Sequence, residues 1–155
     1  TYGARSTFTA DEYTGDFEFS SGIRADATDS ALVEVMKELK NYRENGVTEA
    51  ELKFMKNSLG QRDALLYETG LQKAGFIGRI LNYNLPANYV DQQNKILAKL
   101  TKAEVDAVAK KMLNPEKINI LLVGDKAKIL EGVKKLGYEI IELDADGKKV
   151  EKKAF

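Results

Sequence analysis

A chain of 155 residues allows one domain, able to bury roughly two-thirds of the surface its unfolded form exposes. Its 24 Lys and Arg balance its 24 Asp and Glu, which leaves no net field to draw in nucleic acid or an anionic membrane. Histidine and cysteine are both absent, which excludes the imidazole and thiolate ligands of most zinc sites, the commonest general base and the most easily activated nucleophile.

Two alternating segments open the chain. Tyr2, Ala4, Ser6 and Phe8 share one face against Gly3, Arg5, Thr7 and Thr9, and Phe17, Phe19, Ser21 and Ile23 alternate with Glu18, Ser20, Gly22 and Arg24. Period-two alternation predicts half-buried strands, and the turn-like run from Asp11 to Gly15 joins them as an antiparallel hairpin. Helical spacing follows. Thr28 is placed to cap a helix with the stripe Leu32, Val35, Met36 and Leu39, closed by Gly46. Thr48-Glu49-Ala50-Glu51 reads as a capping box for a helix with Leu52, Met55, Leu59 and Leu66 inward. Thr69 restarts a helix that runs to about Asn84. Pro86 opens the next, through Tyr89, Ile96, Leu97 and Leu100. A second capping box at Thr101 to Glu104 begins a helix with Val105, Val108, Ala109 and Met112, ended by Asn114-Pro115.

The last third changes character. Ile118 to Val123 is almost continuously apolar, as a strand covered on both faces would be. Gly124-Asp125 leads into a short helix with Ile129, Leu130, Val133 and Leu136, closed by Gly137, and Tyr138 to Leu143 reads as a final strand. Strand, helix and strand in that order predict a right-handed parallel crossover. The fold class is therefore α+β: a mixed, mainly antiparallel sheet with helices packed on one face. Residues 1–147 form a single domain and 148–155 a charged tail. No apolar run is long enough to cross a membrane as a helix. Because the chain enters strand-like sequence at Thr1, it is expected to be a fragment truncated on its amino-terminal side.

Few residues invite a chemical role. Val123-Gly124-Asp125-Lys126 stands where phosphate loops occur, but one glycine falls far short of either nucleotide pattern, and Asp125 is read as an N-cap. Glu49, Glu51 and Glu104 are explained by capping and solvated helix faces. Gly70, Gly75 and Gly78 either permit close helix packing, mark a break, or give flexibility beside a substrate. Tyr2 by itself is a strand aromatic on the face of Phe8, and packing is its first reading. Its phenol is also a donor at neutral pH, able to support a carbonyl if its strand edges a cavity.

Several strings, in order, resemble a carboxy-terminal homologous domain of the pitrilysin/insulinase family of zinc peptidases. They are Thr1-Tyr2-Gly3-Ala4-Arg5-Ser6-Thr7-Phe8, Val47-Thr48-Glu49-Ala50-Glu51-Leu52, Leu85-Pro86-Ala87-Asn88-Tyr89, the helix start Thr101 to Glu104, and Ile120-Leu121-Leu122-Val123-Gly124-Asp125. The resemblance implies the metallohydrolase fold of pitrilysin and the mitochondrial processing peptidases. It further implies duplicated domains around a peptide chamber, with zinc held by a His-x-x-Glu-His motif in a separate amino-terminal catalytic domain. The carboxy-terminal domain supplies an arginine–tyrosine pair for substrate. Alignment puts that tyrosine on Tyr2, and the arginine would precede Thr1.

The expected function is thus a substrate-binding, non-catalytic domain of a bacterial-type zinc-dependent endopeptidase. The alternative is a catalytically inactive structural or partner subunit of the same fold. A generic α+β interaction module, with Tyr2 in its core, is a third option. The substrate-binding residue is Tyr2, and neither catalytic nor metal-binding residues are assigned; no cofactor is expected in this fragment. The implied partners are peptide substrate and an amino-terminal catalytic domain or partner subunit, with homodimerisation a further option and neither nucleic acid nor membrane. The periplasm is favoured over the cytoplasm.

Overall fold

The computed structural model describes residues 3–65 and 68–150, and these divide into two compact units. One takes residues 3–6, 19–36 and 119–150; the other takes 7–18, 37–65 and 68–118. The chain is α+β, rich in helix, with a two-stranded sheet.

The hairpin forms as its alternation predicts, from β1 (Ala4–Ala10) and β2 (Gly15–Ser21). A four-residue connection can only join antiparallel neighbours. Asp11 builds the turn: its Oδ1 accepts from the amides of Tyr13 and Thr14, each at 2.8 Å, while its own amide donates to the Thr14 carbonyl at 2.8 Å. The Thr14 and Tyr13 amides hold the Asp11 carboxyl below the usual carboxylate range. In β2, Phe17, Phe19 and Ser21 are half-buried while Glu18 and Ser20 are exposed, so its two faces differ as period two demands. Phe8 and Phe17 face each other across the ladder, ring centroids 4.9 Å apart and tilted by 47°.

The unit of residues 37–118 is helical. It contains the end of α1 (Thr28–Asn45), then α2 (Glu49–Leu65), α3 (Gly70–Asn82), α4 (Tyr89–Lys99) and α5 (Lys102–Met112). Its buried side chains include Leu52, Ala109, Leu113 and Pro115. Lys56 of α2 reaches the carbonyl of Ala98 in α4, Nζ to O 3.0 Å. The turn between α1 and α2 is pinned to α5 by one carboxylate. Asp106 Oδ1 accepts from the Val47 amide at 3.0 Å, and Oδ2 pairs with Lys102. Gly46 sits in that turn at φ +68°, and a Cβ there would overlap the Asp106 carboxylate. Glycine is required twice over, for its conformation and for its lack of a side chain.

In the other unit, α1 begins and α6 (Lys126–Lys134) packs on the 3-10 turn Ala25–Ala27. A Cβ on Gly132 would stand 2.9 Å from the Asp29 carboxylate, so a larger residue there would require the Asp29 side chain to shift. Met36 and Val133 are buried. Glu142 pairs with Lys126 at 2.6 Å and its carbonyl accepts from the Val150 amide at 2.9 Å, while Leu143 and Lys149 form an antiparallel bridge.

Two expectations are corrected. Thr28 does not cap α1 as an acceptor; its hydroxyl donates back to the carbonyl of Ala25 at 3.1 Å, and the helix is entered through the 3-10 turn, braced by an Arg24–Asp26 pair. More consequentially, residues 118–123 and 138–143 are not paired strands, and the mixed sheet reduces to β1–β2 among the described residues. A parallel strand needs a hydrogen-bonding neighbour and a layer over each face. Leu121 is 77% exposed and Val123 is 89% exposed, so the face they share has no covering layer, and the amides of residues 119–124 donate to no backbone carbonyl among the described residues.

Candidate functional site

Tyr2, the residue assigned to substrate, lies outside the described residues. Its immediate surroundings are described. Gly3 has φ +91°, and its carbonyl accepts from the Ser21 hydroxyl at 2.8 Å, which ties the chain just after Tyr2 to the end of β2. β1 follows at Ala4, is solvent-exposed along its whole length, and has β2 as its one sheet neighbour among the described residues. Its second edge therefore offers main-chain donors and acceptors to an incoming extended segment.

Of the carboxylates weighed as alternatives, Glu51, Glu104 and Asp125 are in structural use, and Glu49 stands in the first turn of α2. Glu51 Oε2 accepts from the Thr48 amide at 2.7 Å and from its hydroxyl at 2.9 Å, while the Glu51 amide returns a bond to Thr48 Oγ1 at 3.2 Å. Glu104 repeats this with Thr101 at 2.8, 2.7 and 3.3 Å. These reciprocal bonds hold both glutamates below the usual carboxylate range, the Thr48 amide being the main cause at Glu51 and the Thr101 hydroxyl at Glu104. Asp125 caps α6, Oδ1 accepting from the Ala127 amide at 3.1 Å. Asp106, the latch between the α1–α2 turn and α5, is also held below the usual carboxylate range: the Lys102 ammonium first, and the Val47 amide second, favour its charged form. Among the described residues no three His, Cys, Asp or Glu side chains converge as metal ligands.

The glycines of α3 have a different setting from the one close packing would give. A Cβ on Gly70, Gly75 or Gly78 would meet nothing within 4 Å. Thr69 and Gln72 form a capping box at the start of the helix, the Thr69 amide donating to Gln72 Oε1 at 2.9 Å. Beyond it Leu71, Ile77 and Leu81 stand in solvent, 85%, 56% and 74% exposed. Between α3 and α4 lies an open cleft of about 350 Å³ lined by Lys73, Phe76, Ile77 and Val90. None of these was singled out from sequence. The available signal was charge: from Thr69 to Val90 there is no Asp or Glu, in a chain where 31% of residues are charged.

No protein-family model and no curated protein matches the chain. Among solved structures it is similar to a crystal structure of a peptidase M16 inactive domain from Pseudomonas fluorescens, with 30% sequence identity and a TM-score of 0.68. The match covers 76% of this chain, which spans 28% of the length of that one. The α+β fold of the present chain is the fold of that inactive domain.

Proposed function

We propose that this chain is a substrate-binding, non-catalytic domain of a zinc-dependent endopeptidase, working beside a separate zinc-bearing domain. The observation that carries the reading is the match to an M16 inactive domain at 30% identity. Two features of the chain support it. It contains neither histidine nor cysteine, so its own contribution to peptide cleavage would be to hold substrate. The free edge of β1 suits an extended peptide, whose backbone would pair with the strand while side chains alternate up and down.

Tyr2, which precedes β1 in sequence, is the proposed donor. A phenol with its ordinary pKa of about 10 keeps its proton at neutral pH. It would donate to a peptide carbonyl near the scissile bond, holding the chain while water is activated in the zinc-bearing domain. The test is Tyr2→Phe in the intact protein, assayed for peptide hydrolysis and zinc content. Loss of one oriented donor should lower kcat/KM by about ten- to a thousandfold with zinc unchanged. Unchanged cleavage removes Tyr2 from the site, and an intact protein that neither holds zinc nor cleaves peptides would instead be the inactive structural or partner subunit.

A further inference from the structure

The outer face of α3 carries a second recognition surface that stands on the residues of α3 and α4 alone and does not depend on the function proposed above. With 3.6 residues per turn, Leu71, Ala74, Ile77 and Leu81 fall in one row, while Phe76 and Ile80 turn the other way and are half-buried. That row is exposed, and Lys73 and Arg79 border it on opposite sides. Neither cation has an ion-pair partner among the described residues. The cleft beside the row has apolar walls from Phe76, Ile77 and Val90, with Lys73 completing its lining.

We infer that this surface binds an acidic peptide segment, an apolar side chain seated in the α3–α4 cleft and a neighbouring carboxylate on Lys73. Charge selects the occupant. A second copy presenting the same face would bring Lys73 and Arg79 against like charges. An anionic bilayer would feel no net charge on the chain to draw it in, whereas a peptide at contact distance meets Lys73 and Arg79 within a stretch, residues 69–90, that holds no Asp or Glu. Size agrees, since about 350 Å³ is near the lower end of the roughly 300–1,000 Å³ of ligand pockets and suits one anchoring side chain.

Fluorescence anisotropy with short labelled peptides, Leu alternating with Glu, Gln or Lys, tests this on the full chain. The Leu/Glu peptide should bind about tenfold more tightly than the Leu/Gln peptide, and the preference should shrink as salt is raised. Lys73→Glu should weaken Leu/Glu binding by about three- to tenfold, and Ile77→Ser by about tenfold. Both side chains are exposed, so circular dichroism should be unchanged in either variant. Equal binding of the three peptides, indifference to Lys73→Glu, or no binding overturns the inference. So does self-association that competes with peptide, or a preference for phosphatidylserine vesicles over it.

Discussion

The helical run from α2 to α5 and the extended segment 118–123 both carry apolar side chains, yet they meet opposite fates. In the helices the interior backbone groups bond within four residues, and the N-termini of α2, α3 and α5 are closed by their own side chains: Thr48 with Glu51, Thr69 with Gln72, Thr101 with Glu104. One apolar stripe then suffices to bury Leu52 and Ala109. Ile118 to Val123 has no such independence, because a strand's hydrogen bonds belong to its neighbours. The lesson is that local bonding lets one part of this chain stand by itself while the other waits on a partner.

The contrast can be broken most severely at the core. Leu52→Ala removes a side chain only 5% exposed and should cost about 2–4 kcal/mol in denaturant unfolding. A loss below about 1 kcal/mol would mean that the helical part is not held by this packing. Next comes the latch at Asp106. Its folded-state pKa lies below its unfolded value, so its contribution is present above the unfolded pKa and lost as pH falls through the folded one. Thermal melts of Asp106→Asn should therefore lie below those of the parent near neutral pH and converge with them in strong acid. Parallel curves at all pH values would remove the charge on Asp106 from the account. The smallest effect is expected at Leu121→Thr, within about 0.5 kcal/mol, because that side chain is already in water. A cost of about 2 kcal/mol or more would show the segment to be covered and the contrast false.

Legibility in the sequence followed the same division. The capping boxes at Thr48 and Thr101, the N-cap at Asp125, the hairpin, and the closing glycines Gly46 and Gly137 are set by residues a few positions apart, and were readable. Thr28 was misplaced because a hydroxyl can donate backward as readily as it accepts forward, and the preceding 3-10 turn decided which. The pairing of residues 118–123 and 138–143 was not readable, since hydrophobicity states that a segment prefers cover without stating that cover is at hand. The candidate site divides similarly. Tyr2 rests on resemblance and lies outside the described residues, whereas the surface of α3 depends on which row of a helix its neighbours leave open.

The bare segment has a practical consequence for handling this polypeptide. Ile118-Asn119-Ile120-Leu121-Leu122-Val123 contains no charge and no proline, and its β-branched and aliphatic side chains are those that interlock in dry fibril spines. With Leu121 and Val123 in solvent, the same six residues on another molecule offer a matching ladder. Concentrating the isolated chain thus favours cross-β stacking, and a single lysine at position 121 would act as a gatekeeper against it.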